Sequence, residues 1–277
     1  MNEIGLKVGA KYGFGDMNRL ILDAIDWGFR FFELSASDVK DLNFYRDLAK
    51  KGIKFGIHTP HAFTKDPQCN LAATFTPFLK RTRRWFRKTI KLAEQLKCEY
   101  LVFHPDLFMI PQGNDVFPDG ILFAESFQVG FNQLIKSLRF YHSTIPLLAE
   151  TMPQFEKEKV YYNADLEGSL KLKKALPKIK FCFDIDHSFE AVLNIDKVIE
   201  WYKRIEKDVQ TLHVCDFDPK VRPHLVIGDG VIDFEKFLTK CQIREDQRLI
   251  LEVLPYSSES TKKDLLSSRQ NLEKLLK

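Results

Sequence analysis

Along the chain, short apolar runs alternate with longer stretches in which apolar residues recur every three or four positions. The runs are IGLKVG (4–9), FRFFELS (29–35), IKFGIH (53–58), EYLVFH (99–104), IPLLAE (145–150), IKFCFD (179–184), VQTLHV (209–214) and RLILEV (248–253). Each has the length of a strand. Most are continuously apolar rather than alternating, as strands are when both faces of a sheet are covered. Between them lie helix-period segments such as NRLILDAIDWG, FLKRTRRWFRKTIKLAEQL, SFQVGFNQLIKSLRFYH, IDKVIEWYKRIE and DFEKFLTKC. Several begin after Asp or Asn and some end near Gly, the residues that cap helix ends. Alternating strand and helix patterns predict parallel pairing through right-handed crossovers. Eight such units in 277 residues favour a closed (β/α)8 barrel, a TIM barrel, over an open doubly wound sheet.

Composition narrows this reading without changing it. A 44% hydrophobic content and the lack of low-complexity tracts or a linker suit a single domain over residues 1–277. The segments 110–120 and 151–168 are Gly-, Pro- or polar-rich and are expected as loops above the barrel mouth. GAKYGFGD (9–16) lacks the spacing of a phosphate cradle. No apolar run approaches the roughly 20 residues of a membrane span. MNEIGLKVGA carries an early acid and no apolar core, so a cytoplasmic location is expected rather than secretion. A net charge of +4 permits an anionic substrate without arguing for one. The five cysteines (Cys69, Cys98, Cys182, Cys215 and Cys241) form no CxxC pair and read as small buried hydrophobes. The basic segment KRTRRWFRK (80–88) reads as the solvated face of an outer helix, with Trp85 and Phe86 packing inward.

The chemistry sits at the ends of the apolar runs. Strand three ends at His58, strand four at His104, strand five at Glu150, and strand six at Asp184 with His187 just beyond. Strand seven carries His213, strand eight Glu252, and the loop after strand seven His224. In a (β/α)8 barrel these ends converge on one rim. Of the seven histidines, all but His142, expected in a helix, fall at such an end or in an adjoining loop. Imidazole and carboxylate are the ligands of zinc and manganese, and a cation relieves the repulsion among gathered acids. His61, in HTPH, reads as a pocket-lining residue, Asp186 as facing solvent, and Asp106 as a loop or cap residue. Glu33 reads equally well as a partner to a ligand or as a structural carboxylate.

Taken in order, these stretches resemble the xylose isomerase-like barrel superfamily, and within it the endonuclease IV branch, over nearly the whole chain. HTPH with downstream CNLA resembles HxPY and NLA, and LVFHPD resembles FHPG. LLAETMP resembles the strand-five glutamate motif, FDIDHSFEA resembles DxxHxFxA, and LHVCDFD resembles LHxND. HLVIGDG resembles HxxxGEG and LILEV the closing LET. The resemblance implies one zinc on His58 and His104, Glu150 bridging to a second, and Asp184, His213 and Glu252 completing that second site. A third zinc would use His187 and His224, but Arg222 stands where the family has the third aspartate; Asp216 or Asp218 could replace it. The implied cofactors are therefore two zinc ions, or three with a substitute acid, manganese sharing the same ligands.

Two activities follow from the resemblance. One is hydrolysis of a phosphodiester in abasic-site DNA through a metal-bound hydroxide, with Glu150 orienting the nucleophile and Arg222 meeting a phosphate. The other is isomerisation or epimerisation of a small sugar or sugar phosphate, with Glu150 and Glu252 moving a proton. On that second reading His187 contacts a hydroxyl and Arg222 a substrate anion. Asp216 and His61 are further candidate substrate contacts. His58 and His104 tilt the choice toward the hydrolase, because a single-metal isomerase does not call for them. A monomer is expected.

Overall fold

Parallel strands cannot be joined by tight turns, so every strand here has to be followed by a crossover. The computed structural model describes residues 2–9, 16–59, 70–105, 109–110, 121–154 and 161–277. Eight parallel strands close on themselves in chain order: β1 (Ile4–Val8), β2 (Phe31–Ser35), β3 (Lys54–His58), β4 (Leu101–Phe103), β5 (Leu147–Glu150), β6 (Lys180–Asp184), β7 (Val209–Val214) and β8 (Arg248–Leu251). These are the predicted runs, mostly trimmed by one or two residues at an end.

The crossovers are α1 (Met17–Asp26), α2 (Leu42–Lys50), α3 (Thr76–Gln95), α4 (Phe127–Arg139), α5 (Leu166–Ala175), α6 (Ile185–Val192), α7 (Ile195–Ile205) and α8 (Phe234–Lys240), with α9 (Thr261–Leu275) closing the chain. Asp16, Asp41, Ser126, Asp165, Asn194 and Asp233 each cap a helix by accepting first-turn backbone N–H groups. Each cap contributes about 1 kcal/mol. Two antiparallel hairpins sit in the loops, 109–110 with 121–122 and 216–218 with 222–225.

Two apolar layers result. Outward-facing strand residues such as Leu6, Phe32, Ile57, Phe103, Phe183 and Leu212 pack under the helices in one continuous core. Inside the barrel, Phe31, Tyr100, Val102, Leu148, Cys182 and Ile250 form a separate plug. Gly56 makes room for it, since a Cβ there would lie 2.6 Å from the Tyr100 ring.

Some local expectations are corrected. Helix α4 stops at Arg139, so His142 is exposed coil rather than helix. The loop after β5 is shorter than 151–168, because Asp165 caps α5 and the helix begins at Leu166. On α3, Phe86 is buried, but Trp85 is only half-buried, with the Lys88 ammonium over its ring at 5.2 Å. Asp106, His61, Cys69 and most of the 9–16 and 110–120 segments lie outside the described residues.

Candidate metal centre

Successive strand residues point to opposite faces, so one step of two residues above the plug sets the next inward layer. That layer is Lys7, Glu33, His58, His104, Glu150, Asp184, His213 and Glu252, all buried except His104, whose side chain is slightly exposed. The register puts Lys7 beside Glu33 and Asp184 beside His213. All six strand-end residues implied as ligands of the first two sites are therefore brought together.

Glu150 is the hub. Its Oε2 lies 2.8 Å from His58 Nε2 and 3.2 Å from His104 Nε2. Its Oε1 lies 3.3 Å from His213 Nδ1 and 3.3 Å from His187 Nδ1. Two donor groups share it: His58–His104–Glu150, and Glu150–Asp184–His213–Glu252, with the ligand atoms of each within 4.8 Å of one another.

The hydrogen bonds show what these groups are arranged to hold. A carbonyl oxygen only accepts, so His58 Nδ1, 2.6 Å from Thr59 O, carries the proton. That contact turns Nε2 toward the Glu150 carboxylate, 2.8 Å away. His213 is held at both ring nitrogens: burial pushes it down, but Cys182, Glu33 and Glu252 lift it well above the ordinary imidazole range. Its Nε2 sits 3.0 Å from Glu33 Oε1, and its Nδ1 faces Glu252 Oε2 at 2.8 Å and Asp184 Oδ2 at 3.5 Å. Asp184 Oδ2 is buried and accepts no hydrogen bond among the described residues. Lone pairs aimed at lone pairs in a buried space require protons or cations between them, and nitrogen and oxygen donors in this pattern fit a divalent metal.

The electrostatics follow from burial and neighbours. Burial raises the Glu150 and Glu252 carboxyls, yet His104, His213 and Lys7 around Glu150, and Lys7 and His213 around Glu252, hold both well below the usual range. Glu33 is likewise pushed up by burial but held low overall by His213 and Lys7. Burial drives His104 down to about 4, outweighing the raising effect of the Glu150 carboxylate. Burial also pushes His187 down, but Asp184 and Glu150 outweigh it and lift the ring to about 10.

Lys7 was hidden within an apolar run and sequence reasoning missed it. Its ammonium lies 2.7 Å from Glu252 Oε2 and 3.8 Å from Glu33 Oε1. The only available signal was a lysine at an inward position of a buried strand. Glu33 resolves as the partner that orients His213.

The remaining candidates fall elsewhere. His187 Nδ1 faces Thr151 O, Glu150 and Asp184 at 3.2–3.4 Å and so joins the Glu150 cluster. Asp186 is fully buried, not solvent-facing, and meets Cys215 and His224. Asp216 is not poised for substrate: its two oxygens accept the backbone N–H groups of Phe217, Gly228, Gly230 and Ile232 at 2.8–3.1 Å. The Arg222 guanidinium is likewise engaged, donating to Leu254 O at 2.5 Å and lying 4.9 Å over the Tyr256 ring. A cleft lined by His142, Pro146 and Lys180 opens at the N-terminal strand ends, the face opposite the chemistry.

The description xylose isomerase-like TIM barrel matches residues 21–275. The chain belongs to that family. Within this xylose isomerase-like fold it is similar to a D-tagatose 3-epimerase-like protein, at 19% identity over 99% of this chain and 97% of that one, with a TM-score of 0.75. It is also similar to endonuclease IV from Thermus thermophilus, at 16% identity over 98% and 99% of the two chains, with a TM-score of 0.66. An uncharacterized protein of Methanocaldococcus jannaschii is 24% identical over 190 residues, 67% of this chain and 64% of that protein's length. At such identities the solved structures establish the shared fold alone. Among the described residues, no helix of this barrel is long and apolar enough to cross a membrane.

Proposed function

We propose that this barrel is a divalent-metal-dependent phosphodiester hydrolase whose substrate class is DNA at abasic sites. The observation that carries the reading is Glu150, flanked by His58 and His104 on one oxygen and by the Asp184–His213–Glu252 group on the other. When bound, paired divalent ions supply Lewis acidity and neutralise charge on both the attacking and the leaving oxygens of an in-line displacement. Proton transfer at a sugar carbon needs one ion and two bases, and leaves His58 and His104 without a task.

The chain's own residues do the positioning. Glu150 holds the two halves of the donor set at a common distance. Thr59 O and Glu33 hold His58 Nδ1 and His213 Nε2, so that the opposite ring nitrogen of each would face a bound ion. Lys7 offsets part of the excess negative charge from below. Thr151 Oγ1 accepts the Asp184 backbone N–H at 2.8 Å and fixes the end of β6.

A second reading, epimerisation of a small sugar, is favoured by two observations. Glu150 and Glu252 lie on either side of His213 Nδ1 at 3.3 and 2.8 Å, a pair suited to passing a proton on and off a carbon. The likeness to the D-tagatose 3-epimerase-like structure also exceeds that to endonuclease IV.

Elemental analysis of metal-replete protein, paired with an abasic-duplex incision assay and a ketose and aldose panel, separates the two. At least two ions on the Glu150 cluster with incision supports the hydrolase. A single ion there with sugar turnover reverses the order.

A further inference from the structure

Three side chains that the Glu150 cluster does not use meet beside it. Asp186 is in the first turn of α6, Cys215 follows the last residue of β7, and His224 is on the second strand of the 216–225 hairpin. Cys215 Sγ lies 3.3 Å from Asp186 Oδ2 and 3.3 Å from His224 Nδ1, and His224 Nδ1 lies 3.7 Å from Asp186 Oδ2. A tetrahedral zinc with bonds of about 2.3 Å to sulfur and about 2.0–2.1 Å to nitrogen or oxygen separates its donors by about 3.3–3.6 Å. The three donor atoms, 3.3, 3.3 and 3.7 Å apart, are already close to that spacing.

An independent observation points to a ligand. Asp186 is fully buried; its Oδ2 accepts the His224 backbone N–H at 2.8 Å, while its Oδ1 has no hydrogen-bond partner among the described residues. Cys215 is fully buried as well. Leaving a carboxylate half-satisfied beside a thiol in such a place is costly.

We propose that Asp186, Cys215 and His224 form a further metal site, for a thiophilic divalent ion such as Zn2+, with the fourth position open. On binding, the Cys215 thiol releases its proton to solvent, and carboxylate plus thiolate then match the charge of the ion. A thiolate in the set selects against magnesium, calcium and manganese, which favour oxygen over sulfur ligands. The site replaces, rather than reproduces, the ligand set that the resemblance implied. Arg222 is engaged with Leu254 and Tyr256, and His187 turns its Nδ1 toward Glu150. The His187 ring stands 5.5 Å from that of His224, so the site adjoins the Glu150 cluster without sharing its donors. The inference goes beyond either reading of the activity and holds under both.

The test is cobalt titration of metal-free protein followed in the near ultraviolet, where a thiolate–cobalt bond absorbs, with zinc counted per chain after gel filtration. Wild-type protein is expected to show the band. Cys215→Ser should lose the band and one zinc per chain, while Cys182→Ser keeps both. Asp186→Asn should lose the same zinc, which covers the case in which Cys215→Ser does not fold. Glu150→Gln should retain the band even as it loses the neighbouring ions, so failure of the hydrolase reading and failure of this site are distinguishable. Absence of the band in wild type, or its survival in Cys215→Ser, overturns the proposal.

Discussion

Two storeys of the same barrel interior differ by one step along each strand. On β5, Leu148 faces the axis below and Glu150 above; on β2 the pair is Phe31 and Glu33. On β6 it is Cys182 and Asp184, and along β8 it is Ile250 followed by Glu252. The lower storey is close to self-sufficient, because its apolar side chains need nothing but one another, the buried Tyr100 hydroxyl excepted. The upper storey cannot: its acids and imidazoles gather around a common centre, with Lys7, among the described residues, as the permanent cation beside them. Apolar packing is concentrated below and titratable chemistry above, on the C-terminal face where such barrels carry their sites.

The largest expected effect of breaking that contrast comes at its hub. Glu150→Gln should reduce turnover of whichever substrate proves correct by roughly 10³-fold or more, about 4 kcal/mol, and strip the ions that Glu150 shares. Retention of both activity and metal content would mean that the upper storey is not the reaction centre.

Next in size is Lys7→Met, which leaves Glu252 and Glu33 without their cation. Breaking a buried pair costs about 3–5 kcal/mol, readable as a lower urea midpoint in the metal-free protein. Saturating zinc should recover part of that loss. Leu148→Ala probes the lower storey two residues from Glu150. It should cost about 3 kcal/mol of stability through the cavity it opens, while the metal count stays at its wild-type value. A drop in metal count there would show that the plug shapes the ligands as well as the fold.

Glu33→Gln is smaller still. It keeps the shape but weakens the hold on His213 Nε2, and metal affinity should fall about 10–100-fold, measured by competition with a chelator. The smallest effect per step is a pH slope. In metal-free protein His187 is raised from 6.5 to about 10 by Asp184 and Glu150, against the pull of burial. The folded state therefore binds that proton more tightly than the unfolded state. Its stabilisation is complete below pH 6.5 and is lost as pH rises through about 10, at no more than about 1.4 kcal/mol per pH unit. His187→Asn should flatten the thermal midpoint across that window, and an unchanged slope would sink the assignment.

Much of this was legible before any coordinates. The eight apolar runs announced the strands, because burial on both faces leaves little freedom in composition. His58, His104, Glu150, Asp184, His213 and Glu252 were legible for the converse reason: a titratable group ending a buried strand is out of place unless something binds it. Other residues were illegible for want of a neighbour. Asp216 resembles a site acid until the loop at 228–232 folds back and its amides occupy both oxygens. Asp184 and Asp186 are two apart, yet one caps α6 facing Glu150 while the other turns to Cys215 and His224. Arg222, plausible as an anion contact, is taken up by Leu254 and Tyr256.

The linear chain by itself determined the closed parallel barrel and the ring of imidazoles and carboxylates on its rim, since periodicity and strand ends are local properties that survive without coordinates. Only the tertiary structure decided how those groups divide: which acids share Glu150, which meet Cys215, and which are consumed by backbone amides. That division depends on distances of a few ångströms between segments far apart in sequence, set by strand register, by where α6 begins and by how the hairpin folds back.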